Sequence, residues 1–217
     1  MFGNFITFNI LTIMFIKITY KRFWILLLFL VSMESVFAQE VQLEVSFLNT
    51  GKTQDYLYYD KSKPLLIADF KGKPRQSSQG VASTNSGILM EMKSEIDHDK
   101  MLVIVDLSVY FDQRKSWMKK EGRNPKVLAH EQVHMDITAI HACLLAQKLK
   151  QIKLHPNKAF AQLKTAYQKQ MKELNEMQNQ YDHETRHGID EQQQAKWEKF
   201  IHQRQNLVHQ SCLNLKQ

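Results

Sequence analysis

The chain has 217 residues, 43% hydrophobic and 24% charged, with a formal net charge of +7. Apolar content is sufficient for one domain with a full core, and no repeat or low-complexity segment points to an array or a linker. The lysines are spread along helical segments as solvated faces, without a dense cluster, so no nucleic-acid partner is expected, although an anionic envelope surface fits the balance.

Residues 1–38 read as an export signal. Lys17, Lys21 and Arg22 form its basic region, Phe23 to Val31 its apolar core and Val36-Phe37-Ala38 its small-residue cleavage site. An apolar stretch before the basic residues suggests that translation starts at Met14; the rival reading is an uncleaved anchor. The apolar core is short for a bilayer, so no stable membrane span is expected after cleavage. No cysteine follows it, which excludes a lipoprotein anchor at that point. The expected location is secreted or periplasmic.

Cleavage leaves residues 39–217 as a single domain. Its basic side chains fall from 29 to 26 and its acidic ones from 22 to 21, a net charge near +5. The two cysteines, Cys143 and Cys212, form an even pair in an exported chain and are expected to be disulfide-bonded. Neither has a paired metal spacing, so a cysteine ligand is not expected.

The first half is strand-like. Val41, Leu43, Val45 and Phe47 alternate with polar residues as a half-buried strand. Leu65 to Phe70 is a short apolar run, and the Gly/Ser-rich stretch from Gln76 to Ser86 is a loop. The alternating run from Ile88 and the β-branched run Met101 to Phe111 flank a polar tetrad and read as an antiparallel hairpin. The second half is helical. Asn124-Pro125 starts a helix that runs to about Ile152, with Ala129, Val133, Ile137, Ile140 and Leu144 as its core stripe. Phe160, Leu163, Tyr167, Met171, Leu174, Met177 and Tyr181 mark a second helix, capped by Asn157. Asp190 caps a third, with Trp197, Ile201, Val208 and Cys212 on one face. Strands first and helices second give an α+β class, with an antiparallel sheet over the helical half.

The first helix carries His130-Glu131-Gln132-Val133-His134. Residues four apart share a helix face, so the two imidazoles can meet on one Zn2+ ion, with Glu131 beside the metal's water as general base. A catalytic zinc needs a third protein ligand. His141 is on the same face but about 10 Å further along the axis, too far for a ligand bond of ~2 Å. The extended motif with Gly at plus seven and His at plus ten is absent, because those positions are Ile137 and Ile140. The third ligand is therefore sought in Tyr181-Asp182-His183-Glu184-Thr185-Arg186-His187-Gly188, where Gly188 can end the second helix. His187 is the first choice and Asp182 the alternative, as ligand or as partner of a ligand ring. Glu184 and His183 stand behind them, and Asp136 is a second candidate to take a ring N–H. Tyr181 and Arg186 are candidates to stabilise an oxyanion.

His130-Glu131-Gln132-x-His134 with Asp136-Ile137, followed by Tyr181-Asp182-x-x-Thr185-x-His187-Gly188, resembles a bacterial domain-of-unknown-function family of predicted secreted zinc-dependent proteases. The resemblance extends upstream through the hairpin and Ser116-Trp117; the family's Phe before the helix Asp is Met135 here. It implies a zincin-like peptidase with His130, His134 and a residue of the second motif on zinc, and it brings no known substrate.

The expected activity is hydrolysis of a peptide or protein substrate, with the stretch from Tyr110 to Trp117 a candidate to hold an extended peptide. The alternatives are a non-catalytic zinc or envelope-binding module and a zinc amidase acting on cell-wall peptides.

Overall fold

A computed structural model of the chain describes residues 40–48, 53–74 and 77–213, without the side chains of 208–211 and 213. The expected export signal lies outside the described residues, as does the side chain of Val208. Gln39–Gln217 forms a compact unit of its own.

The first expected strand is β1 (Glu40–Phe47), with Val41, Leu43, Val45 and Phe47 against the core and Glu40, Gln42 and Glu44 exposed. Two short strands follow, β2 (Tyr56–Tyr58) and β3 (Ala82–Ser83). The expected hairpin is β4 (Ser86–Asp97) and β5 (Lys100–Asp112), joined where His98 adopts a left-handed conformation. A last strand, β6 (Trp117–Met118), pairs with β3 as a separate two-stranded sheet.

β5 is the centre of the main sheet. β4 pairs with it antiparallel and β2 antiparallel, but β1 runs parallel to it, with Glu40 beside Lys100 and Phe47 beside Leu107. The sheet is therefore mixed, which corrects the antiparallel expectation. Alternation of apolar and polar residues fixes which face of a strand is buried; it carries nothing about the direction of the neighbour. The expected peptide-holding stretch is also already occupied. Tyr110 pairs with Tyr58 and Gly87, and Trp117, which is buried, pairs with Ser83.

Met101, Val103, Val105, Leu107, Val109 and Phe111 of β5 are buried. They form much of the core beneath α1 (Pro125–Lys150), which lies against β1, β4 and β5. Pro125 opens α1, and the Asn124 side chain accepts from Val127 N at 3.0 Å, satisfying one donor of the first turn. On its other side α1 meets α2 (Ala159–Thr185) and α3 (Glu191–Leu213). It is thus the middle layer, buried around most of its circumference, and Met135, Ala142, Leu145 and Leu149 are as deep as the expected stripe. Ala129 and Leu144 of that stripe are only half-buried. In α2, Leu163, Leu174 and Tyr181 are buried while Phe160 stays exposed at the first turn, after a short 3-10 turn at Pro156–Lys158. Asp190 Oδ1 accepts from Gln193 N at 3.0 Å at the start of α3, as expected of a cap. Among the described residues no helix is long and apolar enough to cross a membrane.

Cys143 of α1 and Cys212 of α3 form a disulfide, 69 residues apart in sequence. Closing a loop of that size restricts the unfolded chain by about 4 kcal/mol in the chain-entropy account. The double variant Cys143→Ser/Cys212→Ser is expected to lose stability of that order in urea unfolding; an unchanged midpoint would contradict it.

His141 is 3% exposed, and its Nδ1 accepts from Gln170 Nε2 at 2.7 Å. Burial pushes its pKa down to about 4, because the charged ring would lose water without gaining a carboxylate bond. The unfolded chain then binds the proton more readily, so the stability carried by neutral His141 is complete above about pH 6.5 and is lost as pH falls towards 4. The loss is about 3 kcal/mol. Wild-type unfolding free energy should fall over this window by about that much more than in His141→Phe, and parallel pH profiles would refute the effect.

Candidate metal centre

His130 and His134 stand one turn apart on α1, with ring centroids 4.9 Å apart. Both turn Nε2 towards one oxygen, Asp182 Oδ1, at 3.1 Å from His130 and 2.9 Å from His134. Asp182 lies on the last turn of α2, which crosses α1 at this level. These residues offer two nitrogens and one carboxylate oxygen, mutually within 4.8 Å, and could hold a metal ion. Ligand atoms on a tetrahedral zinc at 2.0–2.1 Å stand roughly 3.3 Å apart, close to the two nitrogen–oxygen separations of 3.1 and 2.9 Å here.

The end of α2 explains why Asp182 rather than His187 sits between the rings. Arg186, His187 and Gly188 are all left-handed, with φ of 51°, 55° and 79°. The helix therefore ends at Thr185, three residues before the glycine expected to stop it, and its end is closed by His187 N donating to Asp182 O at 2.8 Å. Gly188 has a second reason to be glycine, because a Cβ there would lie 3.1 Å from the His130 ring. The chain turns against His130 and leaves the His187 ring largely exposed, its Nδ1 3.6 Å from Asp182 Oδ1. Of the two candidates for third ligand, the geometry favours Asp182, the sequence alternative, and gives His187 a position at the rim.

Burial alone would raise the Asp182 pKa, but hydrogen bonds from His130 and His134, and their charges, hold the carboxyl well below the usual range. Burial would likewise lower the His134 pKa, and the Asp182 bond and the charges of Asp182 and Glu131 overturn that and raise it. This mutual stabilisation is what a cation-binding set shows when a proton takes the cation's part.

Glu131 is 5% exposed, and its Oε2 is buried with no hydrogen-bond partner. An unpaired buried carboxylate oxygen is costly in a purely structural role. It faces a cleft of about 320 Å³ lined by Glu131, His130, His134, Asp182, His187, Gly188 and Ile189, by Asn124, Lys126 and Val127 at the start of α1, and by Gly80–Thr84 opposite. The last segment belongs to the stretch that the sequence presents only as a loop.

Two expected roles are corrected. Tyr181 is fully buried and does not line the cleft. Its ring stacks on His130 at 4.6 Å and meets His134 edge-on at 5.0 Å, while its hydroxyl donates to Gln194 Oε1 at 2.9 Å and lies 3.2 Å from His130 O. It is a platform beneath the histidines and not an oxyanion donor. Arg186 is exposed at the helix cap and is also absent from the lining. Asp136 takes no ring N–H; it accepts from Tyr59 Oη at 3.2 Å and Gln132 Nε2 at 3.0 Å in a separate network. Glu184 accepts from Trp197 Nε1 at 2.7 Å, and both His183 and Glu184 are exposed and outside the cleft lining.

The partners of the ring Nδ1 atoms are glutamines that the sequence analysis missed. His130 Nδ1 meets Gln194 Oε1 at 3.1 Å, and His134 Nδ1 meets Gln178 Oε1 in a short contact. Gln178 is four residues before Asp182, on the same face of α2, which is a readable signal. Gln194 lies in a run of three glutamines and has none.

An α+β fold whose central helix presents two histidines and a glutamate to a cleft, with a carboxylate from a crossing helix between them, is a candidate metal centre. Residues 108–188 match a family model described as "Bacterial protein of unknown function (DUF922)". That segment runs from β5 through Gly188 and contains the histidines, Glu131 and Asp182. No curated protein matches the chain, and no solved structure does.

Proposed function

We propose that this protein is a zinc-dependent peptidase acting outside the cytoplasm. The observation that carries the reading is the convergence of His130 Nε2, His134 Nε2 and Asp182 Oδ1 beside the unpaired carboxylate of Glu131 in one cleft. His130, His134 and Asp182 would hold the ion. A zinc ion there supplies Lewis acidity, polarising a scissile carbonyl and making water more acidic.

The remaining work belongs to the chain. Glu131 Oε2 accepts a proton from the attacking water and returns it to the leaving amine, so one carboxylate serves as base and then as acid. The Tyr181 ring holds both histidine rings in position from below. The basic and apolar pattern of residues 1–38 and the Cys143–Cys212 bond both support an extracytoplasmic setting.

Purified protein should cleave casein or members of a peptide library, lose that activity to 1,10-phenanthroline and regain it with one equivalent of zinc. Zinc bound at one equivalent without cleavage of any peptide would replace this reading with a non-catalytic binding module. Release of soluble muropeptides from purified wall, with casein and peptides intact, would replace it with a cell-wall amidase.

A further inference from the structure

We infer that Gln178 and Gln194 are positioning residues that fix the imidazole protons of His134 and His130 on Nδ1 and so direct both Nε2 lone pairs at the metal position. The inference rests on the metal reading above.

An amide oxygen and nitrogen are told apart by what each must face. One amide atom of Gln178 lies 2.9 Å from His134 O and 3.2 Å from Thr138 Oγ1. A carbonyl oxygen can only accept, so that atom is the NH2 group and the other, which meets His134 Nδ1, is the oxygen. Gln194 is settled in the same way. One of its amide atoms is 2.9 Å from the Glu198 carboxylate and must donate. The other is the oxygen, which accepts from Tyr181 Oη at 2.9 Å and faces His130 Nδ1 at 3.1 Å.

Each Nδ1 therefore confronts an acceptor, as each Nε2 does in Asp182 Oδ1; once a metal ion replaces the proton between Nε2 and that oxygen, the single proton of each neutral ring belongs on Nδ1. A neutral ring with its proton there has a lone pair on Nε2. Both lone pairs then point at Asp182 Oδ1, itself an acceptor, and three electron-rich atoms converge where a cation belongs. The two glutamines come from different helices, Gln178 from α2 and Gln194 from α3. Gln194 lies outside the matched segment 108–188, so the centre extends into α3.

The test uses histidine-15N-labelled protein and its Gln178→Met and Gln194→Met variants, which keep length and remove the acceptor. In zinc-loaded protein, both wild-type rings should show the Nδ1–H tautomer by long-range 1H–15N correlation. Gln178→Met should change the tautomer of His134 alone and Gln194→Met that of His130 alone, an independence that unfolding would not give. Zinc affinity, read by competition with a chromophoric chelator, should fall about 10- to 100-fold in each variant. An Nε2–H tautomer in the wild type, or unchanged zinc affinity in both variants, overturns the role of the glutamines. Wild-type protein that binds no zinc overturns the metal reading beneath it.

Discussion

Glu131→Gln should leave the fold and zinc affinity unchanged and lower peptide hydrolysis by about a thousandfold, in the range that loss of a general base costs. The substitution is nearly isosteric. It removes the charge and the basicity of Oε2, a cleft-wall oxygen that is buried without a hydrogen-bond partner. Relieving an unpaired buried carboxylate should also keep the melting temperature of the metal-free protein at or above that of the wild type. The measurement pairs kcat/KM on a cleaved peptide with zinc stoichiometry. Hydrolysis at the wild-type rate would remove Glu131 from the mechanism, and loss of zinc together with activity would recast it as a structural element of the metal centre.

The second large effect separates the two candidates for third ligand. Asp182→Ala should weaken zinc binding by more than the roughly 10- to 100-fold that loss of an outer partner costs, because it removes an atom that both Nε2 nitrogens face. His187→Ala should leave affinity close to wild type, since that ring is largely exposed and 3.6 Å from the shared oxygen. The reverse ranking in a zinc competition titration would return His187 to the position that the sequence favours.

Much of this was legible in the chain before folding. The 3.6-residue period gave the three helices, and the alternating runs around Asp97–Lys100 gave the β4–β5 hairpin. The pentad announced His130, Glu131 and His134, because residues four apart must share a helix face. What stayed hidden depends on non-local packing. Nothing in the alternation of β1 says that it runs parallel to β5. β2, β3 and β6 are two or three residues long, too short to show a period, yet β3 belongs to the wall of the cleft. Tyr181 read as a catalytic candidate because a hydroxyl beside a metal motif invites that role; only its burial and its stack on His130 show that it supports the ligands. Both His187 and Asp182 carry ligand chemistry, and the sequence favours His187 with Asp182 as the alternative. The choice between them turns on three successive left-handed residues, Arg186 to Gly188, and the sequence signals such a conformation only at the glycine.

The central claim is that His130, His134 and Asp182 share one zinc ion. Anomalous diffraction at the zinc edge from crystals grown with one equivalent of zinc tests it most directly. The account predicts one fully occupied peak within bonding distance of His130 Nε2, His134 Nε2 and an Asp182 carboxylate oxygen. A peak bonded to His187 in place of Asp182, or no peak between the two histidines, would contradict it.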